Sequence, residues 1–317
     1  MPARLRKRKW SDGLPLWGLI GFGVMLLTHG KTASLAAVQA LELCGTVLLP
    51  ALFPFFVVST LLGDYFPSSG LSRILGAPFQ SLFHLPWECL IIPVMGAVGG
   101  YPVGAKMIAQ FVREERCTRQ EAAKLLMFCN NCGPAFTVSA VGAGLLHDSR
   151  LGLLLFAAHL LSAVIIGLVF SLKTSADKVI SLSEKHEEIS LFPALIRAIS
   201  DGFHAFLTVC AYVIFFAVVI ALLRGLLPAS ENLLSAMLLG SLEMTTGVSL
   251  LCGMTLSPAL RLSAISFLLG WGGASVQFQT VQFLRESGLS CGRYLAGKIL
   301  HGCLAALIVR GLLFLFS

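Results

Sequence analysis

Gly96-Ala-Val-Gly-Gly-Tyr-Pro-Val-Gly104 places four glycines and a proline inside an otherwise apolar run, Glu88 to Val112. No straight membrane helix tolerates that composition, since glycine leaves the backbone unsupported and proline removes a backbone donor. Non-helical backbone at membrane depth persists only where protein or a water-filled cavity surrounds it. The stretch is therefore expected to be a broken helix or a re-entrant hairpin. That the surroundings are a bilayer follows from composition. Of 317 residues, 56% are hydrophobic and 12% charged, with a mean hydropathy of +0.84, whereas a soluble domain carries about 25% charge. A water-soluble fold is excluded. At roughly 20 apolar residues per crossing, the chain holds about seven or eight membrane segments. The expected fold class is an all-α polytopic membrane protein, broken or re-entrant helices included.

The net charge of +7 comes from basic residues at the N-terminus and in short loops. This is the positive-inside pattern of a bacterial-type membrane protein, so the partner expected is the lipid bilayer and not nucleic acid. Arg4-Leu-Arg-Lys-Arg-Lys9 followed by apolar Leu14 to Thr28 has the layout of a signal peptide, with Ser34-Leu35-Ala36 as a cleavage site. Because more membrane-compatible sequence follows directly, an uncleaved first helix with a cytoplasmic N-terminus is favoured. Leu35 to Leu62 is too long for one span and holds Pro50 and Pro54. It is expected to divide into an amphipathic stretch to about Leu48 and a membrane helix over Leu49 to Leu62, with a polar connection from Gly63 to Pro86.

A second break, Cys129-Asn-Asn-Cys-Gly-Pro134, lies in the middle of Ala122 to Leu146, and a plain helix follows over Leu151 to Leu172. Past the polar linker, residues 173–191, the same order recurs. Leu207 to Leu227 with Phe215-Phe216 answers the Phe55-Phe56 helix, and Gly240-Ser-Leu-Glu-Met-Thr-Thr-Gly247 answers the break at Gly96 to Gly104. Gly270-Trp-Gly-Gly-Ala-Ser275 answers Asn130 to Pro134, and Arg293 to Phe316 closes the second half. The chain is thus divided into residues 1–34, a first repeat over 35–172, the linker, and a second pseudo-symmetric repeat over 192–317. Paired interrupted segments in corresponding halves point to a transporter site between repeats. An inverted relation of the halves depends on how many segments are hairpins, which the loop charges do not decide.

Breaks release backbone groups and present the positive ends of half-helices, a setting for a small polar or anionic solute. Close packing of small residues is the alternative. It accounts for Gly142 and Gly144 but not for the polar residues beside the breaks. Candidate solute-binding positions are Gly99, Gly100, Tyr101, Pro102, Lys106, Asn130, Asn131, Gly133, Glu243, Thr245, Thr246, Gly272, Gly273, Ser275 and Gln277. Glu243 stands out, since a lone acid in an apolar segment is costly and marks function by default. It is suited to a proton, a cation or a basic partner, or to capping the following half-helix. Lys106 either neutralises an acidic solute, pairs with Glu243 or snorkels to the interface. His159 sits at membrane depth, as a hydrogen-bonded neutral ring or as a proton relay. Arg224 and Arg310, near helix ends, are anchors.

Cys129-x-x-Cys132 lacks the further ligands of a zinc site and the βαβ setting of a redox motif. No metal or cofactor is expected beyond a coupling ion, H+ or Na+. Zincin, nucleophile-elbow and Walker signatures are missing from the sequence, so no enzyme is expected.

Leu49-Pro-Ala-Leu-Phe-Pro-Phe-Phe56, Gly99-Gly-Tyr-Pro-Val-Gly-Ala-Lys106, Cys129-Asn-Asn-Cys-Gly-Pro134 and Leu242-Glu-Met-Thr-Thr-Gly247 together resemble the YlbJ-type sporulation integral membrane proteins. These form a branch of the nucleoside-recognition, or gate domain, group. The resemblance runs from about Leu41 to the C-terminus. It implies a role in endospore formation, gate domains similar to those of concentrative nucleoside carriers and the ferrous-iron permease, and movement of dipicolinate across a membrane surrounding the forespore. Two functions are set side by side: a solute carrier with its site between the broken helices, and a non-transporting scaffold for coat or cortex assembly. The short loops favour the carrier. Assembly as a homo-oligomer stays open.

Overall fold

The computed structural model describes residues 14–66, 70–171, 190–226 and 232–315, and the expected linker falls outside them apart from its last two residues. Every regular element among these residues is helical. α1 (Leu14–Thr28) turns by 92° at His29 into α2 (Gly30–Leu43), which passes through a wide π turn (Cys44–Leu48) into α3 (Leu49–Tyr65). Pro50 at the start of α3 is tolerated because the first-turn amides have no intrahelical partner. The expected polar connection after Gly63 contains a helix instead, α4 (Gly70–Phe83). Its buried positions, Gly76, Phe79 and Phe83, follow a helical period. Gly76 contributes no hydrophobic signal of its own, since its Cα faces the Trp87 side chain.

The first break divides α5 (Ile91–Gly99) from α6 (Val103–Arg113), and the second lies between α7 (Arg119–Leu125) and a π helix (Ala135–Leu145) leading to α8 (Ser149–Ser171). α9 (Leu191–Leu226) starts well before the expected Leu207. α10 (Leu233–Leu242) and α11 (Met244–Gly253) meet at Glu243, α12 (Pro258–Trp271) and α13 (Gly273–Glu286) meet at Gly272, and α14 (Cys291–Leu315) closes the chain. Among the described residues, four helices are long and apolar enough to cross a membrane: α8, α9, Pro258–Arg285 and α14. The count reaches six if each bent pair, Leu16–Thr28 with Gly30–Thr46 and Ile74–Phe83 with Trp87–Gly99, is one span. The remaining apolar helices are short; α10 and α11 have ten residues each, about 15 Å, or half a hydrocarbon core.

Two apolar cores organise these elements. One gathers around Leu268, the other around Ile92. Both arms of the first hairpin, α5 through Met95 and α6 through Ile108, lie in the Ile92 core. Both arms of the second, α10 through Ala236 and α11 through Val248, lie in the Leu268 core. That these pairs fold back is plain from Gly240 and Gly247, where a Cβ on Gly247 would stand 2.2 Å from the Gly240 Cα; seven residues of continuous helix would separate them by about 10 Å. The other segments cross between the cores. α7 starts in the Ile92 core and the π helix ends in the Leu268 core; α12 and α13 run the opposite way. α8 carries Leu155 into the Leu268 core and Ile166 into the Ile92 core, whereas α14 enters with Tyr294 and leaves with Val309. α8 and α14 are therefore antiparallel.

Candidate functional site

Between the two cores lies a polar layer where the broken helices meet. Its first part is backbone against backbone. A Cβ on Gly96 or Gly104 would fall 1.8 or 2.2 Å from the Cys129 carbonyl, and one on Gly100 (φ +74°) would fall 3.0 Å from the Gly133 nitrogen. Only glycine permits that approach. In the second half Gly273 (φ +74°) abuts the Met244 nitrogen at 2.8 Å on the same measure. Each half thus closes its two breaks onto one another.

Side chains then join the halves. Tyr101 donates from Oη to the Leu269 carbonyl at 2.9 Å, with the Gly270 carbonyl at 3.3 Å. These belong to the last turn of α12, whose carbonyls have no intrahelical partner. The others of that turn are also satisfied: Leu268 accepts from the Gly272 amide and Trp271 from Gln277 Nε2. The contact between halves therefore runs from Gly100–Pro102 to Leu269–Gly272, crosswise, and Gly273 continues it to Met244 and the Gly240 carbonyl. A phenol needs an acceptor, and a helix C-terminus supplies one.

Asn130 finds partners for both ends of its amide. Its Oδ1 accepts from the Ala105 amide at 3.4 Å, near the start of α6, and its Nδ2 donates to Thr280 Oγ1 and Tyr294 Oη at 3.0 and 3.1 Å. Its carbonyl accepts from Lys298 Nζ at 2.8 Å. Lys298 is 1% exposed. It donates further to Tyr101 Oη at 2.7 Å, lies 4.7 Å from the Tyr101 ring centroid, and stands 3.3 Å from His301 Nδ1. No carboxylate contacts it among the described residues. His301 Nε2 donates to the His159 carbonyl at 2.9 Å, since a carbonyl can only accept. The two imidazoles lie 4.2 Å apart, each ten residues beyond the first residue of its helix, Ser149 or Cys291. His159 Nε2 in turn accepts the Cys132 amide at 3.0 Å, which places its hydrogen on Nδ1, a buried atom with no partner.

The remaining candidates are dispersed. Glu243, 3% exposed, accepts from the Thr245 and Thr246 amides at 2.9 and 2.7 Å and from Thr246 Oγ1 at 2.8 Å. It caps α11, the structural role open to it from the sequence, and no ion pair to it is found among the described residues. Asn131 donates to the Phe128 carbonyl, leaving Oδ1 buried without a partner. Of these polar residues, Asn130 bonds to the second half, whereas Asn131 and Thr246 bond within their own turns. Lys106 is half-buried, and no ion pair joins it to Glu243 among the described residues. Gly99 backs onto Ser59, while Ser275 and Gln277 are buried on α13. Gly142 packs against Gly152 as expected, but Gly144 meets only its own helix. Cys129 and Cys132 lie in different cores, so no contact between the two thiols joins those cores.

Lys298, His301, Tyr294 and Thr280 are not conspicuous in the sequence. Their signal is spacing: Tyr294, Lys298 and His301 stand at i, i+4 and i+7, one face of a helix, and Gly297 and Gly302 on the same face mark it as buried.

Compared with known proteins, the chain is 27% identical over 323 aligned residues to the sporulation integral membrane protein YlbJ of Bacillus subtilis (strain 168), an alignment spanning 90% of this chain and 78% of that one. No family model and no solved structure matches it. The YlbJ-type resemblance carried by the four motifs thus extends along nearly the whole chain, and the protein is a multi-pass membrane protein.

Proposed function

We propose that this chain is a membrane carrier that moves a small polar or anionic solute through the junction of its broken helices. One observation carries the reading: Lys298, a buried cation with no carboxylate partner among the described residues, is hydrogen-bonded across the interface between halves. An uncompensated charge at membrane depth marks a functional position, and an anion is the partner that would complete it. The opposed directions of the hairpins and of the crossing segments fit an inverted pair of repeats, with α8 and α14 meeting about its pseudo-axis at His159 and His301. That is the architecture in which one half rocks against the other around a central site. The similarity to a sporulation protein supports a role in endospore formation, and the resemblance favours the bacterial cell membrane or a membrane surrounding the forespore as the site of movement. The solute favoured there is a small aromatic dicarboxylate, dipicolinate. The test is uptake of labelled dipicolinate, glutamate and a nucleoside into proteoliposomes holding wild-type protein or Lys298→Met. Saturable uptake of one solute, lost in the variant, is expected; wild-type vesicles that take up none of them beyond empty liposomes would refute the carrier.

A further inference from the structure

We infer that Lys298 and His301 form the binding site of the coupling ion and that this ion is a proton. The inference rests on the carrier reading and specifies its ion. An ammonium has three hydrogens, and Nζ faces three acceptors: Tyr101 Oη, the Asn130 carbonyl and His301 Nδ1. The charged form is fully satisfied. A neutral amine has two hydrogens and a lone pair, so one of the three bonds is given up when the proton leaves. Two of the acceptors belong to the first half, while Lys298 belongs to the last helix of the second. Protonation therefore sets whether the bonds that hold the halves together are charge-assisted or the weaker bonds of a neutral amine. Tyr101 extends the effect, because the hydroxyl that accepts from Lys298 donates to the Leu269 carbonyl at the end of α12.

His301 gives the proton a route. The Nζ–H bond breaks and an N–H bond forms at Nδ1, leaving an amine that accepts from an imidazolium whose Nε2–H remains on the His159 carbonyl. Charge is conserved and no other reactant is needed. Sodium is disfavoured at this position: it requires oxygen ligands around an open centre, and the centre is held by the Lys298 cation. Glu243, the other buried charge among the described residues, is engaged by three donors.

The titratable groups around Nζ are Tyr101 and Cys132 from the first half, His159 from α8, and Tyr294 and His301 from its own helix. α12 and α13 place Arg261 near the start of the one and Arg285 at the end of the other, away from Gly270 and Thr280, which face α14.

The test needs no solute. Hydrogen exchange is measured on the full chain in lipid nanodiscs at about pH 6 and about pH 11.5, on either side of the ordinary lysine value of about 10.4, with rates divided by the intrinsic chemical rate. In wild type, exchange over residues 96–104 and 268–276 is expected to rise about tenfold at the higher pH, the effect of turning the charge-assisted bonds between halves into neutral ones, while α9 stays unchanged. Lys298→Arg, charged throughout, and Lys298→Met, never charged, are both expected to give a pH-independent ratio. A flat wild-type response overturns the inference whether or not either variant folds, and so does a response that persists in either variant. Because exchange is read without transport, loss of the proton site with solute uptake intact is distinguishable from failure of the carrier itself.

Discussion

Glu243 and Lys298 are both buried, yet their surroundings differ in kind. The carboxylate receives two backbone amides and a hydroxyl from the turn that follows it, all local; the ammonium reaches residues 168 and 197 positions away. A local cap stabilises one helix, and a distant bond couples elements. Glu243→Gln keeps one acceptor oxygen but sets an amide N–H against a donor, so a loss of about 1 kcal/mol is expected. It is read as a shift of a few degrees in thermal unfolding in detergent, with normal membrane insertion. Failure to insert would show that Glu243 does more than cap. Tyr101→Phe removes both a hydroxyl acceptor of Lys298 and the donor to Leu269, and leaves those groups buried and unpaired. It is expected to cost about 2–4 kcal/mol by the same measurement; a shift no larger than that of Glu243→Gln would contradict the junction. Glu243 is legible in the sequence because an acid in an apolar run is conspicuous. Lys298 is not, since a lysine between Arg293 and Arg310 reads as one more anchor until its helical face is drawn.

Elements tell the same story through glycine. The breaks at Gly96–Gly104, Asn130–Pro134, Gly240–Gly247 and Gly270–Ser275 are legible because clustered glycine and proline at membrane depth do not fit an unbroken span. Which break faces which is not legible, because that depends on a tyrosine finding free carbonyls in a different half. The helix Gly70–Phe83 is hidden in the sequence because its buried stripe contains a glycine in place of an apolar side chain. Substitution separates packing glycines from idle ones. Gly96→Ala drives a methyl into the Cys129 carbonyl, backbone that cannot move aside without parting the two breaks of the first half. Folded protein in the membrane fraction is expected to fall severely. Gly21→Ala, in α1 with nothing within 4 Å, is expected to be neutral or to stabilise by about 0.5–1 kcal/mol. Equal yields of the two would show that the hairpin has slack the geometry denies.

At the scale of the whole molecule, the two cores assign every segment a side. The α6–α7 and α13–α14 connections share the Ile92 end, where Ser287 Oγ accepts from Arg113 at 3.4 Å and donates to the Ala109 carbonyl. The connections after the π helix and after α11 share the Leu268 end. Arg113, Arg116, Arg119, Lys124, Arg285 and Arg293 lie by the connections at the first end, against Arg150, Arg261 and Arg310 towards the second. By the positive-inside rule the first end is cytoplasmic. Two hairpins entering from opposite faces follow from this, one from the cytoplasm through α5 and α6, the other from outside through α10 and α11. The expectation is checked with cysteines introduced singly at Gln120, Ser290, Asp148 and Leu256, in a background where exposed Cys303 is serine. A membrane-impermeant maleimide should label the Asp148 and Leu256 positions in intact cells, and the Gln120 and Ser290 positions only in inverted vesicles. If Gln120 and Asp148 label from the same side, α7 and the π helix do not cross between the faces. The halves are then parallel copies, and a rocking exchange about the His159–His301 contact loses its geometric basis.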